Sequence, residues 1–271
     1  MNRRLAAGAI VAMLTALPGV APATHVVPSL VHRPILALDP NQSSNWSGYN
    51  QGSIELGGKL FHAVSGAWIV PTASPHSTGE AEYSSSWIGI GGGCVDAGCT
   101  VTDTTLIQTG TEQDVDESGH GSYSAWYELI PAPSITISAM TIHAGDKMKA
   151  IIGEKTPNSN VWTILIKDIT RGQSFTTTLP YSSTHLTAEW ITETPVVVDG
   201  GGNVTIGPMP NLTNVHFAFA RTNLQNANLQ ASEAIQLVDP NTSQVIATPS
   251  SPSHGGTWFN DCTYATSCPA P

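Results

Sequence analysis

Two glutamates, Glu189 and Glu193, stand four residues apart in the stretch AEWITETP, in a chain of which only 11% is charged, against about 25% in an ordinary soluble protein. If this stretch is a strand, side chains alternate, so Glu189, Ile191 and Glu193 share one face while Trp190 and Thr192 take the other. Carboxylates four residues apart on an extended chain are about 13 Å apart, too far to share one proton as a coupled pair. Each acid therefore needs a partner of its own. Two more polar groups interrupt apolar strands: Gln108 follows Leu106 and Ile107 in LIQTG, and Glu128 lies between Tyr127 and Leu129 in AWYELIP. Taken singly, each reads as a polar residue on the solvent side of a sheet. Together they place acids and an amide inside otherwise apolar strands.

Several other chemistries find no footing. The nine histidines contain no HExxH or other close pair, which removes the usual zinc-hydrolase signature. The G-x-S-x-G elbow and its βαβ setting are missing, and no Asp-Thr-Gly or Asp-Ser-Gly tripeptide supports a paired-aspartate protease. No metal and no cofactor are expected. The net charge of -10 includes Arg3 and Arg4, so without these two it is -12; such a balance disfavours nucleic acid or an anionic membrane as partner.

The elements that would hold these groups are short runs rich in Val, Ile, Thr, Tyr and Trp, separated by Gly, Pro, Asn and Ser. They include LFHAVSGAWIVP, YSSSWIGIG, TLIQTGTE, SYSAWYELIP, ITISAMTI, DKMKAIIGE, VWTILIKDIT and TAEWITETP; only LQNANLQASEAIQ hints weakly at a helix. About a dozen strands without alternating helices predict an all-β fold, an antiparallel sandwich or barrel. Pro71, Pro131, Pro180 and Pro195 fall at strand ends, where a missing N–H does least harm.

The chain opens with Arg3 and Arg4, an apolar run to about Leu17 and the small-x-small triplet Ala21-Pro22-Ala23. This predicts a secretory signal peptide over 1–23, too short in its apolar part to span a bilayer. Residues 24–43, with three prolines and no periodicity, read as an extended leader or short propeptide, with order beginning at SSNWSGYN; 44–271 is then a single domain. An exported chain favours disulfides, and the close spacings predict Cys94 with Cys99 and Cys262 with Cys268. A surface with few ion pairs has few carboxylates whose protonation would cost stability, so acid tolerance is expected.

These residues resemble a known family, the glutamic peptidases (eqolisin or G1 family), which has acid-acting fungal members and bacterial relatives. The matching pieces keep the family's order: NWSGY, SGAWIVPTA, SSSWIGIGG, LIQTGTEQD, YSAWYELIP, ITISAMTIHAGDKM and AEWITETP, from Asn45 to about Pro195. The resemblance implies a sandwich of two large antiparallel sheets and a catalytic pair of glutamine and glutamate. The glutamine falls on Gln108 and the glutamate on Glu193, with Glu189 the alternative on the same face. Trp87, Trp126 and Glu128 carry over as residues shaping the cleft and orienting the pair. Gly91 stands where the fungal enzymes have an aspartate, and Glu112 replaces another aspartate with the charge kept.

In such a pair an ionised glutamate takes a proton from water and returns it to the leaving amine, while the glutamine NH₂ donates to the developing oxyanion and its C=O helps hold the water. A glutamate base near the ordinary value of about 4.3 sets an acidic optimum. The implied protein is a secreted, monomeric endopeptidase acting on unfolded proteins or peptides. The competing reading is a carbohydrate-binding sandwich with Trp46, Trp68, Trp87, Trp126 and Trp190 as sugar platforms; the two share a fold and separate only at the site.

Overall fold

Alternation governs the second half of the sheet-forming sequence. In Val161–Asp168, Trp162, Ile164 and Ile166 are buried while Thr163, Leu165 and Lys167 point outward, the pattern of a strand with one wet face. A computed structural model describes residues 29–198 and 201–271 of the chain. The expected signal peptide over 1–23 lies outside them. No helix among the described residues is long and apolar enough to cross a membrane.

The strands form two large antiparallel sheets packed face to face, as the sequence predicts. The first runs from Gly121–Ile130 through Leu106–Val115, Ser85–Gly91, Thr187–Glu193 and Trp46–Gly52 to Ala234–Val238. The second runs from Gln173–Pro180 through Val161–Asp168, Lys147–Glu154, Ala63–Ile69, Val215–Thr222, Phe259–Thr263 and Val245–Pro249. It ends on the same strand as the first. Ala234 and Ile235 pair with the first sheet, and Leu237 and Val238 with the second, so Ala234–Val238 closes one side of the sandwich.

The inner faces meet over Trp68, Trp162, Trp190, Phe217, Phe259, Ile88, Ile107 and Met148, all at most 2% exposed. Burying an aromatic or large aliphatic side chain contributes about 1.5–3 kcal/mol each, which makes this layer the main stabilising feature. The first sheet departs from simple alternation. Trp46–Gly52, Ser85–Gly91 and Thr187–Glu193 are buried at every position, because the outer face is covered as well. A second apolar cluster of Trp46, Trp87, Leu106, Trp126, Ile191 and Ile235 lies there, capped by Ile35 and Cys94.

Both expected disulfides are present, Cys94–Cys99 and Cys262–Cys268. Three local expectations differ. ITISAMTI yields only the two-residue strand Ile135–Thr136; beyond it the chain turns, with Met140 N–H on the Ile137 carbonyl, and Ile137, Met140 and Ile142 plug the end of the core. The weak helix signal reduces to the 3-10 turn Ala231–Glu233. Ordered packing begins upstream of SSNWSGYN: strands Ser29–Val31, Ala37–Asp39 and Gln42–Ser43 precede it, and His32 and Ile35 are buried. Their order comes from contact with the first sheet and leaves no periodicity in the sequence.

Candidate functional site

Period-two projection puts every polar group singled out above on one surface, the outer face of the first sheet. Gln108 and Glu112 project beside Leu106, Glu128 beside Trp126, and Glu189 and Glu193 to either side of Ile191. The register arranges them in rows across the strands. Glu189, Gly89, Gln108 and Glu128 form one row; Ile191, Trp87, Gly110 and Trp126 the next; Glu193, Ser85, Glu112 and Ser124 the third. The glycines make room for Trp87. A side chain at Gly110 would meet the Trp87 Cβ at 2.4 Å, and one at Gly89 would meet its ring at 2.8 Å.

Gln108 is fully buried and its Nε2 donates to Glu128 Oε2 at 2.7 Å. Its Oε1 has no hydrogen-bond partner among the described residues, a costly state for a buried acceptor. Burial pushes the Glu128 carboxyl up to about 7, helped by Glu193 and Glu112 and opposed by His32 and Gln108. Glu128 is therefore a neutral acid below that pH, and it fixes the amide without placing a charge beside it.

Glu193 is held differently. Trp87 Nε1 donates to its Oε2 at 2.9 Å, and the main-chain N–H of Arg33 approaches its Oε1 at 3.3 Å. The imidazole of His32 lies between two acids, with Nδ1 2.9 Å from Glu193 Oε2 and Nε2 2.8 Å from Glu112 Oε1. It stacks on Trp126, with ring centroids 3.9 Å apart and planes within 10°.

Glu189 shares a row with Gln108, but the Trp87 ring covers Gly89 between them. Its carboxyl lies under Gly93 and Asn50, and neither oxygen has a hydrogen-bond partner among the described residues. Burial pushes it well above the usual carboxylate range, with Asp103 adding to the effect, so it is an enclosed acid that resists ionisation. The two glutamates of AEWITETP are thus unlike in surroundings, as their spacing requires. Gly91 has φ +90°, and a Cβ there would be 2.1 Å from the Thr105 carbonyl oxygen. The backbone itself leaves no room at this position for a side chain such as aspartate.

Sequence reasoning had no signal for His32 and Arg33, which sit in a proline-rich leader, nor for a second convergence. His62, Glu154 and His185 come together from three distant segments, their candidate ligand atoms within 4.8 Å of one another. Glu154 Oε2 already accepts from His62 Nδ1 at 2.8 Å, His185 Nε2 at 3.1 Å and the Asn158 N–H at 2.9 Å. The cluster is satisfied by its own hydrogen bonds and works as a clasp between loops.

The two-sheet sandwich with an amide and several buried acids on one outer face defines the class: an antiparallel β protein with a polar cluster covered against one sheet. The sequence pattern of the Peptidase A4 family matches residues 44–259, and the chain belongs to that family. It is 31% identical over 165 residues to scytalidopepsin B of Scytalidium lignicola, a match covering 59% of this chain and 55% of that protein. The chain thus matches about half the length of that relative. Among solved structures, a scytalido-glutamic peptidase bound to a transition state analog inhibitor superposes with a TM-score of 0.61 at 22% identity, covering 81% of this chain and 98% of the other. Aspergilloglutamic peptidase from Aspergillus niger gives 0.52 at 24% identity, covering 67% and 99%. These two likenesses establish the shared fold.

Proposed function

We propose that the chain is an exported endopeptidase that hydrolyses peptide bonds of unfolded proteins in acid, with Glu193 as the general base and Gln108 as the amide that stabilises the oxyanion. The observation that carries this is the setting of Glu193. Of the two glutamates it alone accepts a main-chain hydrogen bond, from the Arg33 N–H, while Trp87 orients its other oxygen. Membership of a peptidase family supports the class of reaction. Two disulfides accord with export.

In this reading ionised Glu193 takes a proton from water as the water oxygen attacks the carbonyl carbon. The hydrogen of the Gln108 NH₂ not given to Glu128 stabilises the resulting oxyanion. Glu193 then returns its proton to the amide nitrogen, the C–N bond breaks, and a carboxylic acid and an amine leave. Neutral Glu128 keeps the amide aimed throughout the acid range. The carbohydrate reading fares worse: Trp46, Trp68, Trp87, Trp126 and Trp190 are all at most 2% exposed, so none offers a flat platform to a sugar.

The test is cleavage of a denatured protein from pH 2 to 7, with and without an aspartic-protease inhibitor, for the wild type, Glu193→Gln and Glu189→Gln. Inhibitor-insensitive acid cleavage, lost in Glu193→Gln and kept in Glu189→Gln, is the expected result. Loss only in Glu189→Gln transfers the role to that acid.

A further inference from the structure

The clasp of His62, Glu154 and His185 joins the ends of strands from both sheets. His62 enters Ala63–Ile69 and Glu154 closes its neighbour Lys147–Glu154, both in the second sheet. His185 leads into Thr187–Glu193 of the first sheet. Main-chain hydrogen bonds hold the three segments in place: Glu154 N–H donates to the His62 carbonyl at 2.8 Å, and Phe61 N–H to the His185 carbonyl at 2.9 Å. The carboxylate is anchored without help from either imidazole, by Asn158 N–H on Oε2 at 2.9 Å and Asn160 N–H on Oε1 at 2.6 Å. Both donors belong to the turn between Lys147–Glu154 and Val161–Asp168.

Two details set this convergence apart from an ordinary hydrogen-bonded bridge. Both imidazoles aim at the same oxygen, Oε2, at 2.8 and 3.1 Å, although Asn158 already donates to it. Exposure is also graded: the Glu154 side chain is 0% exposed, His185 7% and His62 23%. A buried carboxylate and a nearly buried imidazole thus face one point that opens to solvent on the His62 side.

We propose that His62 Nδ1, His185 Nε2 and Glu154 Oε2 bind one divalent transition-metal ion of the zinc class, which staples the two sheets together. The site is independent of the peptidase reading, since none of its residues belongs to the acid face. Hydrogen bonds close the clasp when each imidazole carries its proton toward Oε2. For the metal, each neutral imidazole moves that proton to its other ring nitrogen and offers a lone pair, and the carboxylate offers the third donor. No proton is gained or lost overall. Two imidazoles and one carboxylate suit zinc, cobalt, nickel or copper, whereas magnesium and calcium favour an all-oxygen shell. Zinc bonds of about 2.0–2.2 Å in a tetrahedral shell set neighbouring ligand atoms about 3.3–3.5 Å apart. The present N–O contacts are a few tenths of an ångström shorter, and no pair is further apart than 4.8 Å. A turn of the rings therefore completes the shell, and His62, the more exposed, is the freer to make it. The Asn158 and Asn160 N–H groups keep the carboxylate aimed throughout, the supporting role that metal-bound carboxylates require. Three protein donors leave a fourth position for water.

The experiment uses the full exported chain, stripped with a chelator and titrated with Co²⁺ at pH 7, with visible absorption as the readout of a four-coordinate shell. The wild type and the control His120→Ala, at a side chain 81% exposed, should each bind one ion per chain with equal affinity, and excess Zn²⁺ should displace it. His62→Ala and His185→Asn should bind at least tenfold more weakly. Asparagine is chosen at 185 because it tolerates the φ of +62° found there. One equivalent of Zn²⁺ should raise the melting temperature of the wild type and the control, and leave that of the two variants where it was. No binding by the wild type, or undiminished binding in both variants, overturns the proposal. If neither variant folds by circular dichroism, X-ray absorption at the zinc edge of the loaded wild type decides. Two imidazoles with oxygen donors support the site, and a shell without imidazole sinks it.

Discussion

The outer faces of the two sheets make an instructive pair. Both sheets contribute to one core, and both send alternate side chains into it. Yet the first sheet's outer face carries Gln108, Glu112, Glu128, Glu189 and Glu193 under cover, while that of the second carries Lys147, Lys149 and Arg221 around a groove of about 620 Å³ open to solvent. Exposed Ile69, Phe219 and Leu224 line the open groove, with Trp258 beside them. This groove is on the face without buried acids, whereas the segment that carries His32 and Ile35 covers the other. The contrast teaches that a polar side chain becomes chemically distinctive when its face is covered: water no longer screens it, and burial and neighbours set its protonation. Lysines on the open face keep their ordinary solvation.

That contrast can be broken by mutation. Gln108→Ala should lower kcat by about 10²–10³, the usual loss when one oxyanion donor is removed, with the fold unchanged by circular dichroism; Lys149→Ala on the open face should leave kcat alone. Comparable losses in both variants would erase the distinction.

Covered acids should also make the protein sturdier in acid. Asp261, held by Ser47 Oγ at 2.8 Å, is raised by burial to about 7, and Glu128 also reaches about 7. Between about pH 4, where such acids ionise in the unfolded chain, and pH 7 the unfolded state binds fewer protons than the folded one. Stability therefore falls as pH rises through that window. Melting temperature should drop by several degrees from pH 4 to pH 8, and less in Asp261→Asn. An unchanged drop in that variant would take Asp261 out of the account. The acid tolerance expected from a scarcity of ion pairs thus gains a more direct cause. The smallest effect is expected on the open face. Phe219→Ser, at a side chain 56% exposed, should shift unfolding free energy by no more than about 0.5 kcal/mol, as read from urea titration.

Much of this architecture was legible in the residues. Alternation placed Glu189 and Glu193 on one face, and the β-branched runs located the large strands; tight cysteine spacing paired the sulfurs. What stayed hidden depended on contacts between distant segments. Row register alone would join Gln108 to Glu189, and only the bulk of Trp87 over Gly89 separates them. His32 sits in a segment with no pattern, since its place is set by Trp126, Glu112 and Glu193. ITISAMTI alternates like a strand but bends, because three of its apolar side chains plug the end of the core. His62, Glu154 and His185 are far apart in sequence, and only the folded loops bring them together.

Ala234–Val238, the strand common to both sheets, has a consequence for how the protein comes apart. Neither sheet can peel away as a unit while that strand keeps its pairing to the other. Disruption on one side is therefore passed to both through main-chain hydrogen bonds, and the spine couples the two layers into one melting unit.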